Sequence, residues 1–271
     1  MKANILTIGL VTGLFLFSAC GGQQKKSDNG DSEEQKSATM EEEAPVNTLS
    51  EKEKEDGWML LFNGEDFEGW RGYGMDEVPG AWTIDDDAIM IQGSGEGEAG
   101  ADDGGDIIYD EQFKNFELKF DWKVSKGGNS GVFYLAQELE DEPIFRSAPE
   151  YQILDNENHP DARLGKDGNR KSASLYDMIP ADPQNSKEYG EWNTGGILVY
   201  KGTVVHMQNG ENVLEFHLWT DEWEEMIANS KFDGWEEMIN TGGDDRKGYI
   251  GLQDHGDDVW FRNIKLKVME E

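Results

Sequence analysis

Four histidines, one cysteine and 57 acidic residues bound the chemistry open to this 271-residue chain. The cysteine, Cys20, lies near the amino terminus, so the rest of the chain holds no disulfide, no thiol nucleophile and no cysteine zinc site. Glu150 and Gln152 fall on one face of a short strand-like run, opposite Tyr151 and Ile153. In the run Thr203 to Gln208, alternation sets His206 with Gln208 on a polar face, away from Val205 and Met207. His255 stands in Gln253-Asp254-His255-Gly256, where Asp254 is placed to orient its ring. Imidazoles and carboxyls on polar strand faces are what general acid–base chemistry requires. A Glu–Glu or Glu–Asp glycosidase pair stays open as an alternative, because so many carboxylates offer too many pairs for the sequence to choose among. Asp254, His255 or Glu150 could ligate a divalent cation, but no recognisable ligand spacing marks a site, and nothing in the sequence requires a cofactor.

The elements that would position these groups read as strands. Phe116, Leu118, Phe120, Trp122 and Val124 alternate with Glu117, Lys119, Asp121 and Lys123, the period of a half-buried strand. Gly127-Gly128 then turns the chain into a second strand from Ser130 to Leu135. Further strands are expected at 59–62, 82–84, 88–92, 150–154, 196–200, 203–208, 211–220, 248–253 and 259–268. Asn209-Gly210 predicts a two-residue hairpin turn, because that dipeptide accepts the positive φ angles such a turn demands. With Gln208 opposite Glu211, Val205, Met207, Leu214, Phe216 and Leu218 would share one face, and His206 and Gln208 would share the other with Glu211, Glu215 and His217. Between 221 and 240, Trp223-Glu-Glu-Met-Ile227 recurs as Trp235-Glu-Glu-Met-Ile239, which reads as two amphipathic turns inserted into an all-β sandwich.

Residues 1–20 have the form of a lipoprotein signal: Lys2, an apolar run from Ile5 to Phe17, then Ser18-Ala19 before Cys20 as the lipid-bearing residue. The run is shorter than the ~20 residues needed to span a bilayer. Residues 21–55 are rich in Gln, Ser, Asp, Glu and Lys and read as an acidic, disordered tether. A single domain would then occupy 56–271, and the protein would sit in a bacterial cell envelope, lipid-anchored on the periplasmic or the surface face. The acidic Ser27-Asp28-Asn29-Gly30-Asp31 resembles the surface-export signal of Bacteroidota-type lipoproteins. The net charge of −33 belongs mostly to the domain, since residues 1–55 hold only 6 of 24 basic and 10 of 57 acidic residues. Such a field repels nucleic acid and anionic lipid and keeps the protein soluble in salt.

Several stretches jointly carry a resemblance. They are Leu61-Phe62-Asn63-Gly64 through Gly69-Trp70, Phe116-Glu117-Leu118 through Gly128-Asn129-Ser130-Gly131-Val132-Phe133, Glu150-Tyr151-Gln152-Ile153-Leu154-Asp155 and Leu175-Tyr176-Asp177. They continue with Gly190-Glu191-Trp192-Asn193, His206 with Asn209-Gly210, Ser230-Lys231-Phe232, and Gly251-Leu252-Gln253-Asp254-His255-Gly256 leading to Phe261-Arg262-Asn263-Ile264. In order and spacing, from about residue 57 to the end, the chain resembles the 3-keto-disaccharide hydrolase domain family. It departs at Tyr134-Leu135-Ala136, where members often carry an Arg, and at Ser172-Ala173-Ser174, where Thr-Gly-Ala is more usual.

The resemblance implies a concanavalin-like jelly roll of two antiparallel sheets and cleavage of glycosides already oxidised at C3 by a partner glycoside 3-dehydrogenase. A C3 ketone acidifies the C2 hydrogen. A base removes it, the C1 substituent leaves, and water adds to the enone. On that reading Glu150 and His206 are base candidates, and His255, oriented by Asp254, donates to the enolate or the leaving group. Lys231 stabilises charge, Asn129, Gln152, Tyr176, Asp177 and Gln253 bind sugar, and Trp192 is a stacking platform. Two other readings compete: a carbohydrate-binding surface lipoprotein without turnover, and a structural surface protein whose acidic shell binds calcium. The enzyme needs Glu150, His206 and His255 to converge on one cleft; the binder does not.

Overall fold

The computed structural model describes residues 45–95 and 100–270. Cys20, the signal segment and the tether as far as residue 44 lie outside them. Among the described residues two antiparallel sheets form a sandwich. The larger runs β11 (Glu211–His217), β10 (Thr203–Gln208), β9 (Asn193–Tyr200), β6 (Phe116–Val124), β13 (Val259–Val268), β4 (Ala88–Ile91), β3 (Trp82–Asp85), with β1 (Trp58–Leu60) also paired to β13. The smaller runs β2 (Trp70–Gly72), β5 (Ile107–Tyr109), β12 (Tyr249–Leu252), β7 (Asn129–Ala136), β8 (Glu150–Leu154). The alternation in β6 places Phe116, Leu118, Phe120, Trp122 and Val124 in the core between the sheets, where they meet Val132, Tyr134, Tyr151 and Ile153 of β7 and β8. The all-β sandwich expected from the sequence is therefore formed. Two three-residue strands, β2 and β5, are additions to the sequence reading, too short to show a period.

The hairpin at Asn209-Gly210 turns as expected, with φ of 48° and 84°, and Gln208 faces Glu211. Two other tight connections use the same backbone: Asp86-Asp87 between β3 and β4, and Lys201-Gly202 between β9 and β10, all four residues having positive φ. A β-bulge between His206 and Met207 skips Val213, so that His206 faces Leu214 and Val204 faces Phe216. A one-residue slip exchanges the faces of a strand. Val204, His206 and Phe216 consequently share the inner face, and the polar face assigned to His206 from alternation is the core side.

Residues 45–55 are folded, not tether. Asn47 is buried and bonds reciprocally with Asn263, N to Oδ1 at 2.7 Å and Oδ1 to N at 2.8 Å, while its Nδ2 donates to the Asp87 carbonyl at 2.7 Å. Ser50 and Glu53 form a capping box that starts α1 (Glu51–Glu55), and Glu53 also pairs with Lys265 of β13. The folded domain thus includes Asn47 and α1, ahead of the expected residue 56. The helical insertion is present as α2 (Asp221–Ala228) and α3 (Glu236–Ile239), with Trp223, Ile227 and Met238 buried. Among the described residues no helix is long and apolar enough to cross a membrane.

Candidate active site

The outer face of the smaller sheet carries most of the candidate site residues. In β8, Tyr151 and Ile153 point into the core, and the Tyr151 hydroxyl donates to the Met207 carbonyl of the other sheet at 3.0 Å. Glu150 and Gln152 must therefore point outward. Glu150 is 6 % exposed, and its carboxyl lies over Gly131 of β7, where a β-carbon would come within 2.4 Å of Oε1. Gly131 thus makes the room in which a carboxyl can be buried. Asn129 stands two residues along on the same face, and Gln253 adjoins it through its N–H to the Gly131 carbonyl at 3.0 Å. Among the described residues Asn129 Oδ1 and Gln253 Oε1 are buried acceptors with no hydrogen-bond partner. They are suited to hydroxyl donors such as those of a sugar.

Charged groups close in on Glu150. Burial drives its pKa up to about 8; Lys231 and His255 pull it back, and Asp106 and Asp161 push it further up. Asp106, just before β5, is likewise raised, to about 7, chiefly by burial and also by the Asp254 carboxylate, against the N–H that Asp254 donates to its Oδ1 at 2.9 Å. Tyr176 donates to Asp161 Oδ2 at 2.8 Å, and its backbone N–H donates to the Glu150 carbonyl at 3.1 Å. Lys231 holds its ammonium 4.2 Å above the Tyr176 ring. His255 and Lys231 thus lie near enough for their charges to act on Glu150, with Tyr176 beside it. Asp106 and Asp161 complete the cluster and are additions to the sequence-derived set. Asp106 stands in an Asp- and Gly-rich loop whose aspartates the sequence does not distinguish, next to the strand too short to recognise.

Four expected roles are corrected. His206 is fully buried between the sheets on the opposite side of β8 from Glu150. Its Nδ1 meets the Ala173 carbonyl at 2.9 Å and its Nε2 the Tyr134 hydroxyl at 2.9 Å. A carbonyl cannot donate, so Nδ1 carries the proton and Nε2 accepts from Tyr134. Burial holds this neutral ring's pKa down at about 4. His206 is a positioning residue: it pins Ala173, whose N–H donates to the Gln152 carbonyl at 2.7 Å beside the strand that bears Glu150. Trp192 lies on the outer face of the larger sheet, beneath Arg262 at 3.9 Å and Lys123 at 4.9 Å, and offers no platform to the Glu150 cleft. Asp254 does not orient His255. Its carboxylate accepts the N–H groups of Ala101, Gly105 and Gly256, knitting two loops together, while Asp257 Oδ2 stands 3.8 Å from His255 Nδ1. Asp177 is a clamp instead of a sugar ligand: Arg170 Nε donates to it at 2.6 Å and the Lys231 backbone N–H at 2.8 Å. Gln152 stays on the cleft face, its Oε1 accepting from the Ile153 N–H at 2.9 Å.

Comparison with known proteins identifies the family of the domain. Residues 57–267 match the family described as the 3-keto-alpha-glucoside-1,2-lyase-like domain. A 3-keto-disaccharide hydrolase from Bacteroides thetaiotaomicron is 54% identical, over 93% of this chain and 94% of its own. The crystal structure of a candidate glycosyl hydrolase from Parabacteroides distasonis superposes with a TM-score of 0.72 at 31% identity, covering 83% of this chain and 100% of that one. A second structure from the same species gives 0.57 at 26% identity, over 78% and 99%. With the match spanning nearly the whole described domain, the chain belongs to the 3-keto-alpha-glucoside-1,2-lyase-like family.

Proposed function

We propose that this protein cleaves the glycosidic bond of glycosides that carry a ketone at C3. The supporting observation is the Glu150 carboxyl, buried over Gly131 and flanked by His255 and Lys231. Glu150 takes the C2 proton, and the electron pair of the C2–H bond moves toward the C3 carbonyl as an enolate. Lys231 stabilises the enolate oxygen. The enolate re-forms the ketone, a C1–C2 double bond appears and the C1–O bond breaks, with a His255 N–H protonating the departing oxygen. Water adds its oxygen at C1 and a proton at C2 to give the free 3-keto sugar. A base of pKa about 8 has far more driving force toward a carbon acid than an ordinary carboxylate. Asn129 and Gln253 accept hydrogen bonds from the ring hydroxyls. Such a substrate requires an upstream oxidation at C3, so a glycoside 3-dehydrogenase is the expected partner. Cys20 would carry the lipid that holds the protein in the envelope.

A protein that only binds carbohydrate gains nothing from a buried carboxyl held near neutrality, which disfavours that reading. The test is to incubate the purified protein with a 3-keto glucoside and with its unoxidised parent, following the released aglycone. Release from the keto compound alone is expected. Release from neither would favour a binder, and release from the parent alone would rule out elimination.

A further inference from the structure

We propose that His159, His255 and Asp257 form a site for one divalent transition-metal ion at the rim of the Glu150 cleft. One ligand-capable atom from each lies within 4.8 Å of the others, and all three side chains are half-buried. The two imidazoles meet edge to face at 5.9 Å, and His255 Nδ1 is 3.8 Å from Asp257 Oδ2. Tetrahedral metal–ligand bonds of about 2.0–2.2 Å set donor atoms roughly 3.3–3.6 Å apart, so the site closes on an ion by side-chain shifts of up to about an ångström. The donors are held from two directions. The His159 N–H bonds the Asp155 carbonyl at 3.0 Å, and the loop 253–257 is fixed by the Asp254 carboxylate and by Gly95 N–H to the Gly256 carbonyl at 3.0 Å.

The ion costs one hydrogen bond. His159 Nδ1 accepts the Asp161 N–H at 3.1 Å; ligation through Nδ1 replaces that donor, and ligation through Nε2 moves the ring proton to Nδ1 and ends the contact. His255 binding through Nδ1, the nitrogen toward Asp257, keeps its Nε2–H as a donor. Of the ligands conceivable from sequence, Asp254 is excluded because backbone N–H groups occupy its carboxylate. Two imidazoles and one carboxylate select zinc, cobalt, manganese or iron over magnesium and calcium. The surface acids of this protein would hold the hard cations instead, weakly and diffusely. The site does not depend on the keto-glycoside reading.

The full chain, freed of metal by a chelator, is titrated with cobalt(II) in about 0.3 M NaCl to screen surface carboxylates, read by calorimetry and by visible absorption. One equivalent with ligand-field bands is expected, undisturbed by millimolar magnesium. His159→Ala and Asp257→Asn should each weaken it at least roughly tenfold, while an Asp244→Asn/Asp245→Asn control leaves it unchanged. The absence of a saturable equivalent, its displacement by magnesium, or its persistence at full affinity in both ligand variants would overturn the proposal. Circular dichroism of each variant separates loss of the site from loss of the fold.

Discussion

Gly131 and Glu150 act as one unit, because the carboxyl occupies the space a side chain at 131 would fill. Gly131→Ala should leave the fold intact by circular dichroism yet lower kcat on a 3-keto glucoside by on the order of 100-fold, the cost of moving a reacting group about an ångström. Glu150→Gln should lower it by about 10²–10⁴-fold, the usual worth of a general base. In the unaltered protein kcat/KM should rise with pH toward about 8, where Glu150 ionises. Stability should run the other way. The folded state keeps a proton on Glu150 that the unfolded chain releases near 4.5, so this contribution is whole below about 4.5 and is lost as pH rises through about 8. Urea titrations between these limits should show stability declining by up to about 1.4 kcal/mol per pH unit from this group, with the decline reduced in Glu150→Gln. Glu150 is legible in the sequence because strand alternation with Tyr151 and Ile153 sets its face. Asp106 is not, since no period surrounds it and its significance comes from burial beside Asp254.

The hairpin β10–β11 shows where a period-two reading stops. Its turn is encoded in two residues and is legible; its bulge is encoded in no local pattern, and it sets Phe216 and Leu214 against the face that alternation gives to His206. The face of Glu150 is secure because no bulge interrupts β7 against β8. Since His206 works through Tyr134 and Ala173, His206→Ala should destabilise the domain by about 2–4 kcal/mol, from a cavity and an orphaned tyrosine hydroxyl. It should not move the pH at which activity half-develops, whereas loss of a base would. The folded ring titrates near 4 and the unfolded one near 6.5, so the chain releases a proton on folding within that window. Stability from His206 is present above about 6.5 and lost as pH falls through about 4, and His206→Leu should flatten that acid limb in a thermal-melt series.

At the scale of the molecule, a net charge of −33 repels itself, and added NaCl should raise the melting temperature until the Debye length falls below typical charge spacings, near ~8 Å. The sequence locates most of this charge in the domain, and its composition also marks the polar stretch before residue 56. Composition does not reveal that Asn47 is buried against Asn263, because that contact joins residues 216 positions apart. A chain beginning at residue 56 should therefore melt lower than one beginning at Pro45, by the loss of the three part-buried hydrogen bonds of Asn47 and of the capped helix α1. The same clasp decides how the domain carries load. Tension arriving from the amino-terminal side meets Asn47 first and passes into β13, which is paired to β1, β4 and β6 and so lies inside the larger sheet, away from its edges. A pull on this protein would thus be resisted in shear by the best-connected strand it has, with Asn47 and α1 yielding before the sheet that backs the cleft is disturbed.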